Sequence, residues 1–183
     1  ALWVRLPSAS TRPAPAVGLT SDPRKNVTTE SLPGVPPVSA LIEALRRLLP
    51  AERVITDELR RLAYGTDGSF YRLIPEVVAV VNDEDQVRDV VDVARQHQRP
   101  VTFRAAGTSL CGQAVTDGVL VLLGEGLATC KISADGGTVQ VGPAIIGAEV
   151  NRRLAPLGRK IGPDPASINA AKIGGIAANN SSG

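Results

Sequence analysis

The chain has 183 residues, of which 43% are hydrophobic and 3% aromatic, and its formal net charge is +2. A charge so close to zero, with no aromatic residues spaced along a basic segment, argues against a nucleic-acid partner. No apolar run approaches the roughly 18 residues that cross a bilayer, so the sequence predicts no membrane span.

Residues 1–37 are predicted to form a disordered tail or linker, because they contain seven prolines and no sustained hydrophobic periodicity. The first 21 residues include Arg5 and Arg12 but no acidic residue, which is a weak signature of a mitochondrial transit peptide. Untranslated sequence joined to the gene is an equally good explanation of this segment. We expect a cytoplasmic protein, with peripheral membrane association or mitochondrial targeting as alternatives.

The composition also bears on completeness and on metals. The sequence has no methionine, even at position 1, and it ends in the polar run ANNSSG, so we expect a fragment of a longer protein. Its two cysteines, Cys111 and Cys130, are isolated, which favours two free thiols over a disulfide. Two cysteines hold neither an iron–sulfur cluster nor a structural zinc ion, so no metal site is expected.

Residues 38–74 are predicted to be a helical lead-in. The segment VSALIEALRRLL (38–49) places its apolar residues on one helical face, and Pro50 ends that helix. These residues are Val38, Leu41, Ile42, Leu45, Leu48 and Leu49. A second helix is predicted over 57–63, followed by the turn-rich stretch YGTDGSFY (64–71).

From residue 75 the pattern alternates between strands and helices. VVAVV (77–81) is a continuous apolar strand of the kind that is buried on both faces, and NDED (82–85) caps a helix with Val90 in its buried stripe. The run PVTF (100–103) completes a βαβ unit with parallel strands. Further predicted elements are a strand over 119–123, a hairpin over 130–142 and a helix within 144–158.

The stretch RAAGTSLCGQA (104–114) follows a predicted strand and has no large side chain except Leu110. Ligands of open α/β sheets lie beyond the carboxyl ends of strands, and small residues let backbone N–H groups converge on an anion. We therefore expect a phosphate or diphosphate here. The spacing does not fit the G-x-G-x-x-G dinucleotide motif, and the G-K-[ST] of a P-loop is absent. A plain turn loop is the alternative.

A second stretch, IGPDPASINAAKIGGIAANNSSG (161–183), has a similar character. Prolines make its first part rigid, Gly174 and Gly175 permit close backbone approach, and its asparagines and serines are uncharged donors. Two such stretches in one domain indicate a binding bed for a long, polar and mostly uncharged ligand.

These two stretches together resemble the FAD-binding domain of the vanillyl-alcohol oxidase and p-cresol methylhydroxylase superfamily. The similarity is greatest to its D-lactate dehydrogenase and glycolate-oxidase-like branch, and it rests on RAAGTSLCGQA, on GPDPAS (162–167) and on the G-G-x-x-x-x-N segment from Gly174 to Asn180. The resemblance covers residues 40–183. It implies an α+β fold with a βαβ subdomain and a second mixed subdomain, truncated at the C-terminus, with 75–183 as an incomplete FAD-binding domain.

The resemblance also implies a set of cofactor-binding residues. The backbone from Ala105 through Ala106, Gly107 and Thr108 to Ser109 would hold the FAD diphosphate, with Leu110 in the same loop and Gly112 and Gln113 near the ribityl and flavin end. Pro163, Asp164, Ser167, Gly174, Gly175 and Asn180 would line the rest of the cofactor. Arg104 would either neutralise phosphate or leave the strand for solvent.

Other consequences of the resemblance concern attachment and reaction. Some members tether FAD through a histidine in the first loop, but Leu110 stands at that place, so we expect non-covalent FAD. Cys111 is expected to be a small buried residue, and His97 a surface residue at a helix end. Members oxidise D-2-hydroxy acids such as D-lactate, D-2-hydroxyglutarate or glycolate by hydride transfer to FAD, and an electron acceptor reoxidises the flavin.

No catalytic residue can be assigned, because the family's substrate-binding residues come from parts that this sequence does not contain. We therefore expect the chain alone to be inactive. A family member with another substrate class, or a non-catalytic remnant of the flavin fold, are the alternatives.

Overall fold

The computed structural model describes residues 35–181. Most of the predicted tail, residues 1–34, lies outside this range, so that expectation stays a prediction. The helices are α1 (Val38–Leu48), α2 (Glu58–Tyr64), α3 (Glu84–Gln96), α4 (Gly147–Leu154) and α5 (Ile173–Ala178). The strands are β1 (Val54–Ile55), β2 (Val77–Val81), β3 (Val101–Arg104), β4 (Val119–Leu123), β5 (Cys130–Ile132) and β6 (Val139–Val141).

The main sheet has four strands in the order β1-β2-β4-β3. β4 lies in the middle and pairs in parallel with both β2 and β3, so that Val119 is opposite both Val77 and Val101. The short β1 pairs antiparallel with β2 at the edge. The two central strands are runs of valine, leucine and alanine because both of their faces are covered.

Helix α3 makes the crossover between β2 and β3, and its start is fixed by reciprocal side-chain capping. The Asp83 carboxylate accepts a hydrogen bond from the Gln86 backbone N–H at 2.8 Å, and the Gln86 amide oxygen accepts from the Asn82 N–H at 2.9 Å. Val90 and Ala94 are fully buried in the core that α3 shares with Leu41 and other residues of α1. Burying one such valine or leucine side chain contributes about 1.5–3 kcal/mol.

The second part of the fold is a smaller mixed layer. The β5–β6 hairpin pairs antiparallel, and Ile145, Val150 and Leu154 pack from α4 and the preceding turn against its side chains. The predicted α+β fold, with a βαβ unit followed by a second mixed subdomain, is therefore confirmed.

Several local expectations differ from the structure. Leu41 and Leu45 on α1 and Leu49 just after it are buried, but Leu48 is exposed, so the apolar face is narrower than predicted. Helix α4 begins only at Gly147 and gives way after Leu154 to a single turn of 3₁₀-helix.

Two elements were not predicted, and one side chain lies deeper than expected. β1 and α5 were absent from the sequence-based assignment. His97 follows α3 and is half-buried rather than on the surface, with its Nδ1 buried and without a hydrogen-bond partner among the described residues.

Candidate functional site

A cleft of about 970 Å³ opens at the carboxyl ends of the parallel strands. Its wall includes Phe103 near the end of β3, Leu123 at the end of β4 and Glu84 at the start of α3, just after β2. This is the position that ligands take in open α/β sheets. Binding cavities commonly measure about 300–1,000 Å³, so this cleft accepts a ligand of dinucleotide size. Most of its lining comes from the two small-residue stretches.

The first stretch forms a compact loop with internal hydrogen bonds. The Ser109 hydroxyl accepts hydrogen bonds from the Cys111 N–H at 3.2 Å and the Gln113 N–H at 3.3 Å, and lies 3.0 Å from the Gln113 amide oxygen. Gly107 and Gly112 both have φ of +72°, a conformation that side chains disfavour. A Cβ atom at Gly112 would also stand 2.7 Å from the Tyr71 ring. Glycine is therefore required at both turns.

Arg104 lies beneath this loop and does not line the cleft. Its guanidinium donates hydrogen bonds to the backbone carbonyls of Thr66 at 2.7 Å, Tyr64 at 3.2 Å and Ala114 at 3.4 Å. Burial lowers the pKa of Arg104, and the nearby Asp67 charge partly offsets this effect. The geometry thus supports neither direct phosphate neutralisation nor release into solvent, the two roles expected for this side chain.

The lead-in stretch around Asp67 holds the loop from the other side. The Asp67 carboxylate accepts hydrogen bonds from the Ser69 N–H at 2.8 Å and the Ala114 N–H at 3.3 Å, while the Gly68 N–H donates to the Gly107 carbonyl at 3.0 Å. Partial burial would raise the pKa of Asp67, but the hydrogen bonds from Ser69 and Ala114 and the charge of Arg104 hold it below its usual value. Residues 64–73 are therefore part of the site's framework.

The second stretch meets the first across the cleft. The Gly174 N–H donates to the Pro143 carbonyl at 2.8 Å, which fixes the start of α5 against the segment between β6 and α4. A Cβ atom at Gly175 would stand 3.6 Å from the Ala105 side chain, so the two stretches are in direct proximity. The sequence motifs that were separated by about 70 residues thus form one site.

Ten of the fifteen predicted cofactor-binding residues line this cleft. They are Ala105, Ala106, Gly107, Thr108, Ser109, Leu110, Gln113, Ser167, Gly174 and Gly175. The other five, Arg104, Gly112, Pro163, Asp164 and Asn180, lie outside the lining. Asp164 is exposed and pairs with Lys160 at 3.0 Å.

The cleft also includes residues that the sequence reasoning did not select. Cys111 is exposed at the cleft, which corrects the expectation of a buried residue. Lys172 also lines the cleft, and its ammonium donates a hydrogen bond to the Leu123 carbonyl at 3.0 Å. Lys172 is the only cationic residue in the stretch 161–183, and this contrast was the signal that could have identified it.

Within residues 35–181, no three His, Cys, Asp or Glu side chains are grouped as a metal site would need. None of the helices in that same range combines the length and the apolar content that crossing a membrane requires. Both cysteines are free thiols, as expected from their spacing.

Comparison with curated sequences finds relatives that are named as an oxidase subunit and as a dehydrogenase. The glycolate oxidase subunit GlcD of Escherichia coli is 31% identical over 156 residues, which are 84% of this chain and 31% of that protein. The D-2-hydroxyglutarate dehydrogenase of Pseudomonas putida is 29% identical over 146 residues, which are 78% of this chain and 14% of that protein. The chain thus spans less than a third of the length of these relatives.

Solved structures share the fold at low sequence identity. Alkyldihydroxyacetonephosphate synthase superimposes with a TM-score of 0.69 at 17% identity, covering 84% of this chain and 31% of that one. p-Cresol methylhydroxylase superimposes with a TM-score of 0.68 at 16% identity, covering 81% and 31% respectively. The model of the FAD binding domain family matches residues 75–183, which include both sides of the cleft. The chain therefore belongs to the FAD binding domain family, with FAD as its cofactor and the fold of the p-cresol methylhydroxylase type.

Proposed function

We propose that the cleft between residues 105–113 and 174–175 is the FAD site of this chain. The observation that carries this proposal is the proximity of Ala105 and Gly175, which joins two weakly charged stretches into one cleft at the carboxyl edge of the sheet. Backbone N–H groups of 105–109 would bind the diphosphate, as small-residue loops at strand ends do. Thr108 and Ser167 would add hydroxyl donors.

The FAD is proposed to be bound without a covalent link. Leu110 is 77% exposed and has no nucleophilic atom, and the single histidine, His97, does not line the cleft. Cys111 does line it and carries a nucleophilic thiol. Acid precipitation of the loaded protein would release all the flavin if binding is non-covalent, whereas retention of flavin in the pellet would implicate Cys111.

We further propose that the whole protein is a flavin-dependent dehydrogenase or oxidase of a D-2-hydroxy acid, with D-lactate, D-2-hydroxyglutarate and glycolate as candidates. The names of the relatives, a glycolate oxidase subunit and a D-2-hydroxyglutarate dehydrogenase, support this class. Bound FAD would accept the hydride from the substrate α-carbon, and an electron acceptor would reoxidise it. This chain's residues bind and orient the cofactor, and we assign none of them to proton transfer. Cytoplasmic localisation stays a prediction.

FAD titration of the chain tests the site directly. We expect flavin fluorescence to change on binding and the melting temperature to rise as FAD saturates the folded state. Gly175→Leu should abolish both effects, because a branched side chain would occupy the space beside Ala105. Gly162→Leu is the matched control, since Gly162 is exposed with no atom near its Cβ position. A folded wild-type chain that binds no FAD, or equal binding by both variants, would contradict the proposal.

A further inference from the structure

The cleft has little positive charge with which to receive a dianionic diphosphate. The cationic residues in its described lining are Arg88 and Lys172. Arg88 is on α3, with its side chain 67% exposed and paired with Glu84 and Asp85 of the same helix. Arg104 donates to three carbonyls beneath the loop. Lys172 is thus the cation of this lining that forms no ion pair with a described carboxylate.

Contacts of both its backbone and its side chain hold Lys172 near the carboxyl end of β4. It precedes α5 and forms an antiparallel bridge with Ile146, while its carbonyl accepts the hydrogen bond of the Ile176 N–H at 3.1 Å. Its ammonium donates to the Leu123 carbonyl at the carboxyl end of β4. An ammonium has three N–H donors, so two remain for a ligand.

The surroundings of this ammonium favour an anionic ligand. Burial lowers the pKa of Lys172, and the Glu125 charge offsets only part of that effect. A half-buried ammonium with spare donors gains more from an anion than an exposed lysine does, because less water competes for it. The neutral N–H groups of the facing loop supply direction but no net charge.

We propose that the Lys172 ammonium binds the phosphate-bearing part of the cofactor and makes the cleft select phosphorylated flavins over riboflavin. This inference rests on the proposed FAD site. FAD and FMN share the phosphate that Lys172 would contact, whereas riboflavin lacks it. Lys172 therefore contributes to selectivity by charge, and the loop contributes by shape.

The test compares the affinities of FAD, FMN and riboflavin for wild-type chain and for Lys172→Met, which keeps an unbranched side chain of nearly the same length but removes its charge. Loss of a charge-assisted hydrogen bond should weaken FAD and FMN roughly 10- to 100-fold. Riboflavin affinity should change by less than about threefold, since no charged contact is lost. Lys172→Arg should retain the preference for FAD. Lys131→Met, at an exposed position on β5, is the matched control and should bind all three flavins like wild type.

Flavin affinity measured over a series of salt concentrations tests the same charged contact in the wild-type chain, without a substitution. FAD affinity should fall between about 0.05 and 0.5 M NaCl while riboflavin affinity holds, because salt screens only the charged contact. This inference would be overturned if Lys172→Met lost affinity equally for all three flavins or for none of them, or if salt weakened the binding of FAD and riboflavin equally. Each of these outcomes would leave the proposed FAD site standing. Wild-type chain that binds none of the flavins would overturn both.

Discussion

Arg104 ends β3 and turns its guanidinium towards the lead-in rather than into the cleft. It donates hydrogen bonds to the backbone carbonyls of Tyr64, Thr66 and Ala114, which lie 40, 38 and 10 residues away in sequence. All three bonds come from the Nη1 nitrogen, and a guanidinium suits this half-buried position because it keeps its charge there. Gly107 lies directly over this group, so the loop's shape depends on the arginine below it.

Removing the Arg104 guanidinium should therefore destabilise the fold as well as weaken cofactor binding. Arg104→Met leaves half-buried carbonyls without a partner, which costs about 1–3 kcal/mol of unfolding free energy. Urea unfolding measures this loss, and Arg95→Met is the control. Arg95 is exposed on α3 and forms an exposed ion pair with Asp92, so its replacement should cost less than about 0.5 kcal/mol. Equal stability of the two variants would show that the carbonyl contacts are unimportant.

At the scale of elements, the stretch 64–73 behaves as a clamp on the binding loop. It folds back on itself through the Thr66–Arg72 bridge and the hydrogen bond from the Leu73 N–H to the Gly65 carbonyl at 3.1 Å. Its contact with the loop passes through Asp67 and Gly68. The sequence YGTDGSFY indicated a turn, but the carboxylate's partner, Ala114, is 47 residues away and could not be inferred.

The lowered pKa of Asp67 makes this clamp sensitive to acid. The usual value is 3.8, and a carboxyl whose folded-state pKa lies below that value stabilises the fold while it is ionised. Its contribution is present above pH 3.8 and is lost as pH falls through the lower folded-state value. The gap in unfolding free energy between wild type and Asp67→Asn should therefore narrow as the pH is lowered. Urea unfolding across this range measures the gap, and a constant gap would contradict the assignment.

For the molecule as a whole, the cleft joins parts of the fold that are far apart in the chain. A cofactor held between the loop after β3 and α5 should protect both from hydrogen exchange, since it binds only when both are folded. At a free FAD concentration of about 100 times Kd, protection should grow by up to about 2.7 kcal/mol in amides of 105–109 and 173–178. The β5–β6 hairpin lies outside the lining and provides the internal control. Protection of only one of the two segments would contradict a shared site.

The sequence predicted the parts of this molecule that local pattern determines. The apolar runs of β2 and β4, the capped helix α3 and the β5–β6 hairpin all follow from periodicity and turn residues. The strand order could not be predicted, because β4 inserts between two strands that are joined by α3. Helix α5 was missed because Gly174 and Gly175 have low helix propensity, whereas contact with Pro143 fixes its start.

The candidate site, like the fold, was predicted where the signal is local in the sequence and was missed where it depends on long-range contacts. Ten residues were found because small-residue loops are visible in the sequence. Lys172 was missed because its position in the cleft depends on the Leu123 carbonyl, which is 49 residues away. The pairing of Ala105 with Gly175 likewise exists only in the folded chain.

The hydrogen bonds that Ser109 forms within its own loop also affect the energetics of binding. Because these bonds lie within the loop, they order its turns when the chain folds, so its conformational entropy is lost at folding and not when the cofactor arrives. Ordering the loop then takes little from the affinity for the cofactor. The free protein instead carries that cost as a small reduction in its own stability.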